Sequence, residues 1–259
     1  MSLLLVGGIL PIAIMTPLGE WLLLNSRETI YLALGPVFSA ICCFLGGKVG
    51  VSETEEARGF HEKAWGTYSS LFSSRSFLFL VLTGTIIALV DAVIINISLL
   101  GAEKGLLASY FLTTNAIVAV VVRLAGSTLL NVLPRVVLLA PCGILMACSM
   151  LLASLFPSSV VFVLSGMLFG VGIGAGWPML HALIADLLPP ALRPKGSATA
   201  LLLYDGGFSA TPLIVGYFLP HFGMTGTFVA IALAAGGALA LLEIFYWLPF
   251  FRKSRTSQS

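Results

Sequence analysis

Long stretches of this chain carry no charge. No Lys, Arg, Asp or Glu occurs from Val136 to Ala185, nor from Gly206 to Leu242. A helix needs roughly 20 apolar residues to cross the hydrocarbon core of a bilayer, so each gap has room for two crossings. Each is broken near its middle by turn-forming residues, Phe156-Pro157-Ser158-Ser159 in the first and Leu219-Pro220-His221-Phe222-Gly223 in the second. Both read as helical hairpins with short turns. The same pattern along the whole chain predicts eight helices, at about 3–24, 29–47, 76–99, 106–129, 135–156, 158–184, 197–219 and 225–250. The fold class is therefore all-α, a polytopic membrane helix bundle. The one long polar stretch before the C-terminal tail is 48–75, which holds eight of the charges.

Composition agrees with lipid as the solvent. The chain is 58% hydrophobic and 9% charged, with a mean hydropathy of +1.05, where a soluble domain carries about 25% charged residues. Charge placement then orients the bundle. Lys48, Arg58, Lys63, Arg75, Arg123, Arg135, Arg193, Lys195, Arg252, Lys253 and Arg255 fall in connections on one side, and only Arg27 and Lys104 on the other. Cytoplasmic loops carry the Lys/Arg excess, so both termini and the 48–75 loop are expected in the cytoplasm. The N-terminal apolar run has no basic flank and no small-residue cleavage site, so it does not read as a signal peptide. It reads as a span whose preceding sequence is missing.

Several functions are excluded or disfavoured. A net charge of +2 with no basic stripe suggests no nucleic-acid partner. Cys42, Cys43, Cys142 and Cys148 lie in apolar segments without metal-ligand spacing, so no metal or cofactor is expected. No Ser/His/Asp arrangement, HExxH or Walker-type loop is present, which argues against an enzyme. The run Gly170-Val171-Gly172-Ile173-Gly174-Ala175-Gly176 follows no strand and lies inside an apolar span, so it is no dinucleotide loop. Its Gly170/Gly174 and Gly172/Gly176 pairs suit close helix approach.

Acids inside spans are the informative residues, because a charge at the bilayer centre costs roughly 2.5–3.5 kcal/mol on insertion scales. Asp91 lies about 15 residues into its helix, roughly 22 Å deep, and Asp205 about nine residues in, roughly 14 Å. Each is a candidate for substrate or proton coupling; hydrogen bonding between helices is the alternative. No Lys or Arg stands at their depth in this reading. Arg123 comes nearest, near a helix end. Tyr204 and Asn115 are candidate lining residues of a substrate path. Glu20, near an outer helix end, is a further candidate for substrate or proton coupling; it and Glu243, near an inner one, can each instead snorkel to the interface. His181 reads as a packing residue or a proton relay. Arg123, Asp186 and Arg193 fall at the cytoplasmic rim, where a charge network could close a gate or simply anchor the helices.

Three stretches bring in a family. Arg123-Leu124-Ala125-Gly126 followed by Arg135 resembles the loop motif Gly-x-Leu-Ala-Asp-Arg-x-Gly-Arg after the eighth span of the major facilitator superfamily, with Leu130 in the place of the Asp. Asp186-Leu187-Leu188-Pro189-Pro190, then Arg193 and Gly196, is similar to that family's loop between the tenth and eleventh spans. Tyr204-Asp205-Gly206-Gly207 through Pro212 and Gly216 is similar to eleventh spans of bacterial drug- and sugar-efflux-like members. The antiporter motif Gly-Pro-x-x-Gly-Gly survives only as Thr16-Pro17-Leu18-Gly19-Glu20.

The resemblance implies a division of the chain. Residues 1–47 correspond to the fifth and sixth spans, 48–75 to the central cytoplasmic loop, 76–251 to the C-terminal six-helix half, and 252–259 to a cytoplasmic tail. It implies a secondary transporter of a small-molecule substrate in the plasma (inner) membrane of a prokaryote. The carrier would be facilitative or proton-coupled, would work by alternating access, and is a candidate for efflux. Its partners would be the lipid bilayer, the solute, protons as the coupling ion, and whatever supplies the missing N-terminal helices. The competing expectation is a truncated, non-transporting membrane remnant or interaction subunit.

Overall fold

The computed structural model describes residues 14–25, 28–46, 66–132 and 134–256, and no strand occurs among them. Residues 1–13, most of the 48–75 loop and the last three residues lie outside the described part. The helices are α1 (Ile14–Leu24), α2 (Glu28–Gly46), α3 (Tyr68–Phe72), α4 (Arg75–Val93), α5 (Ile97–Lys104), α6 (Ala108–Val132), α7 (Arg135–Leu155), α8 (Ser159–Leu187), α9 (Arg193–Leu242) and α10 (Leu248–Thr256). A 3-10 turn, Ile94–Asn96, joins α4 to α5, and a π turn, Glu243–Trp247, joins α9 to α10.

Local chemistry sets these boundaries. Ser74 caps α4 by accepting the Phe77 N–H, and Gly105 ends α5 in the left-handed conformation that glycine adopts without strain. Pro157 separates α7 from α8. The apolar run 193–253 is 61 residues long, about twice what one crossing needs. It turns back at Gly223, whose φ of 66° and ψ of −178° are non-helical. The two arms of α9, 193–222 and 224–242, are thus separate passes, as the break near Pro220 predicts. The helix expected at 76–99 is longer than its pattern suggested: it runs through the 3-10 turn to Lys104, giving a 30-residue apolar span.

Six passes from Arg75 onward form the packed bundle. The glycines of α8 set its centre. A Cβ on Gly170 would lie 2.6 Å from the Asn115 carbonyl of α6, and one on Gly172 would lie 2.7 Å from the Cys142 carbonyl of α7. Alternate faces of the run are thus pressed against different neighbours, which is the close-approach role expected for it. The first arm of α9 lies on α4, where Thr211 Oγ1 donates to the Leu89 carbonyl at 3.4 Å. The second arm packs Leu239 over Gly143 of α7. The described side chains of α2 are exposed, Leu32 and Phe44 among them. Apolar exposure of that kind is what a lipid solvent demands.

Polar contacts collect at the two ends of the bundle. At one end Arg135 and Asp186 form an ion pair at 3.0 Å, and Lys195 Nζ donates to the Gly66 carbonyl at 2.9 Å. At the other, Glu103 accepts the Met224 N–H at 3.1 Å and the Thr225 hydroxyl at 2.7 Å, and Glu20 accepts the Ser109 N–H. We refer to these as the basic end and the acidic end.

Candidate functional site

A polar cluster sits at mid-depth where α4, α6, α8 and α9 converge. Asp91 projects from the last turn of α4, just before the 3-10 turn. Its Oδ2 accepts the Trp177 Nε1–H of α8 at 3.2 Å. Trp177 stacks on His181 one turn below, with ring centroids 6.1 Å apart, and meets the edge of Tyr204 from α9 at 6.0 Å. The Tyr204 ring fills the space that Gly84 of α4 leaves open; a Cβ on Gly84 would sit 2.2 Å from it. Tyr204 is 1% exposed, and its hydroxyl is buried with no hydrogen-bond partner among the described residues.

Arg123 of α6 is 4% exposed and lies within electrostatic range of Asp91. This corrects the expectation that the in-span acids lack a cation at their own depth. The helix, expected to end near 129, runs on to Val132, so Arg123 is nine residues from its end. Helical side chains lean toward the N-terminus. In α6 that direction leads from the basic end into the bundle, toward Asp91. Asn115, two turns earlier on α6, is 7% exposed, and its Oδ1 is buried without a partner among the described residues. The cluster thus combines a carboxylate, a guanidinium and three rings within an apolar bundle, with the Asn115 amide buried further along α6.

The other expected residues lie elsewhere. Asp205 follows the buried Tyr204 but is itself exposed on α9, as is Ser209 one turn on. The structure does not gather Arg123, Asp186 and Arg193 at one rim. Asp186 pairs with Arg135 across the α7–α8 end, and Arg193 Nε donates to the Leu188 carbonyl at 3.1 Å. Arg123 is absent from that rim because it points inward. Glu20 lies at the acidic end against the start of α6. Glu243 does not snorkel: it is 8% exposed at the π turn, and both its oxygens are without partners among the described residues. It shares a face with Leu239 and Trp247, and Trp247 anchors that face by donating to Thr83 Oγ1 at 3.0 Å. Trp177 is the member that sequence reasoning missed. Its only signal is a place one turn before His181, directly after the small residues Gly174, Ala175 and Gly176.

An apolar crevice of about 270 Å³ lies between α4 and the two arms of α9, lined by Ile86, Leu89, Ile214, Phe218 and alanines of the second arm. It offers no polar group and is separate from the cluster.

A family model described as the Major Facilitator Superfamily matches residues 105–259, more than half of the chain. No curated protein and no solved structure matches it.

Proposed function

The chain belongs to the major facilitator superfamily, a family of membrane transporters, and from that membership we propose that it carries a small solute by alternating access around the Asp91 cluster. The observation that carries this reading is the Trp177–Asp91 hydrogen bond with the buried Arg123 beside it. Polar and ionisable groups inside a membrane span are costly and mark substrate or ion pathways. Burial favours the neutral form of a carboxyl, while a nearby cation favours the ionised form. Asp91 is subject to both influences. A carboxylate whose balance tips as the site opens to water or solute is what a proton-coupled carrier needs. Tyr204, Asn115 and His181 are proposed to line the solute's path, and Asp205 to be a second coupling position on the exposed face of α9.

The orientation belongs to the same proposal. The basic end faces the cytoplasm, as the Lys/Arg excess requires. Residues 76–251 act as one moving half, with α1 and α2 belonging to the opposing half.

The test is Asp91→Asn in the full-length protein, reconstituted in liposomes and assayed with a panel of solutes. Asparagine keeps the shape and can still accept the Trp177 N–H, but it cannot ionise. Downhill exchange is expected to survive while accumulation against a gradient is lost. Uphill transport with unchanged pH dependence would show Asp91 to be structural.

A further inference from the structure

The start of α6 is capped by a side chain from outside the six-pass bundle. Ser109 is the second residue of α6, and its N–H is one of the four that a helix leaves without an internal partner. A Ser, Thr, Asp or Asn just before the helix would normally satisfy it. Here that position is Leu107, which has no side-chain oxygen to offer. Instead both carboxylate oxygens of Glu20 accept the Ser109 N–H, each at 3.2 Å. Glu20 stands on α1, where the following turn buries Leu22 to 4% exposure. A carboxylate at a helix N-terminus gains from the macrodipole as well as from the hydrogen bond.

We infer that the Glu20–Ser109 contact is a latch that holds the acidic end of the transporter closed. The inference rests on the reading that α1 and the six-pass bundle belong to opposing halves. In a rocking carrier the halves part at one end while they meet at the other, so a contact between them at the acidic end exists only while that end is shut. This latch differs from an ion pair in leaving no charge partner behind. When the halves part, the carboxylate meets water and the freed N–H does too. The cost of release is therefore small, and the contact biases the equilibrium without locking it. The pair at the basic end, Arg135–Asp186, joins α7 to α8 within one half and has no such role.

The experiment reads the two ends separately. Ser109→Cys reports on the acidic end. Ala185→Cys reports on the basic end, because Ala185 is exposed and continues the face of α8 that carries Trp177 and His181. Each is made in the full-length protein with and without Glu20→Ala, placed in nanodiscs where both faces are accessible, and treated with a water-soluble maleimide. Labelling is quantified on the peptide that contains the new cysteine. Loss of the latch is expected to speed labelling at 109 by about two- to fivefold, from the range of helix-terminus charge effects, and to slow labelling at 185 correspondingly. Glu20→Gln keeps an acceptor without the charge and is expected to fall between; it serves if Glu20→Ala folds poorly. Faster labelling at 109 with no change at 185 would mean local fraying of a capped helix and would overturn the latch, as would no change at either position. The labelling needs no solute. Absent flux with reciprocal labelling would sink the solute-carrier reading alone, and normal flux without reciprocity the latch alone.

Discussion

Asp91 and Arg123 are opposite charges buried in one bundle, and each is expected to offset the cost of burying the other. An isolated buried charge is expensive, and breaking a buried pair by removing one partner costs on the order of 3–5 kcal/mol. Arg123→Gln should therefore lower thermal stability in detergent markedly, while Asp91→Asn/Arg123→Gln should recover part of the loss. Additive losses in that cycle would show that the two side chains do not interact. Trp177 invites a second substitution. Trp177→Phe keeps a ring against His181 and Tyr204 but removes the N–H given to Asp91. The expected result is a folded protein with the stability of the parent to within about 1 kcal/mol, the net worth of one hydrogen bond, and with altered solute affinity or coupling in liposomes. Unaltered transport would take Trp177 out of the site. The sequence shows Asp91, Tyr204 and Asn115 as polar interruptions of apolar helices. It hides Trp177, because an aromatic side chain in a glycine-rich run is also what packing alone would place there. It misassigns Arg123, because the same sorting of Lys and Arg that orients the bundle places every arginine near a helix end in a loop. The burial of its side chain shows that this one reaches into the interior.

At the scale of the element, α8 and the hairpin in α9 make opposite uses of glycine. In α8 the missing side chain lets backbones touch. A methyl on Gly170 would meet the Asn115 carbonyl at 2.6 Å, and backbone cannot step aside as a flexible side chain can. Gly170→Ala should cost about 1–3 kcal/mol through overpacking, seen as a lowered melting temperature. Gly237→Ala, where nothing lies within 4 Å, should be neutral or slightly stabilising because alanine favours the helix. In α9 it is conformation that matters. Gly223 adopts φ 66° and ψ −178°, a region essentially restricted to glycine, where other residues cost about 1–3 kcal/mol. Gly223→Ala should destabilise by that amount and loosen the cap that Glu103 places on Met224. A melting temperature equal to the parent's would mean that another residue can take up the turn. Both hairpins were legible as breaks in hydropathy, since proline and glycine interrupt otherwise uncharged runs. The π turn at Glu243–Trp247 was not. It departs from the helix by hydrogen-bond register alone, and its residues keep the apolar pattern of a regular span. That is why Glu243 reads from the sequence as a side chain able to reach the interface, while the structure holds it in the seam beside Leu239 and Trp247.

Topology is where the whole molecule can be tested as one object, because every helix must be assigned correctly for the loops to sort. The placement of polar contacts supports the alternation independently of charge: Gly66, Arg135, Asp186, Ala191 and Lys195 meet at one end, and Glu20, Glu103, Ser109, Met224 and Thr225 at the other. Moving Arg123 from the loops to the interior changes the Lys/Arg division from eleven against two to ten against two. The asymmetry survives the correction, so the orientation does not depend on the residue that was misread. Were the acidic end cytoplasmic instead, ten cations would have to reside on the translocated side, against the bias that sets membrane topology. Reporter fusions at His61, Lys195 and Ser259 are thus expected to read cytoplasmic, and fusions at Lys104 and His221 external. A consistent external signal at Lys195 would overturn the orientation even if every helix were correctly placed. Cytoplasmic signals at both Lys195 and His221 would be more damaging, since they would require the first arm of α9 to enter and leave on the same side. The reversal at Gly223, which makes two passes of a 61-residue apolar run, would then have to be wrong.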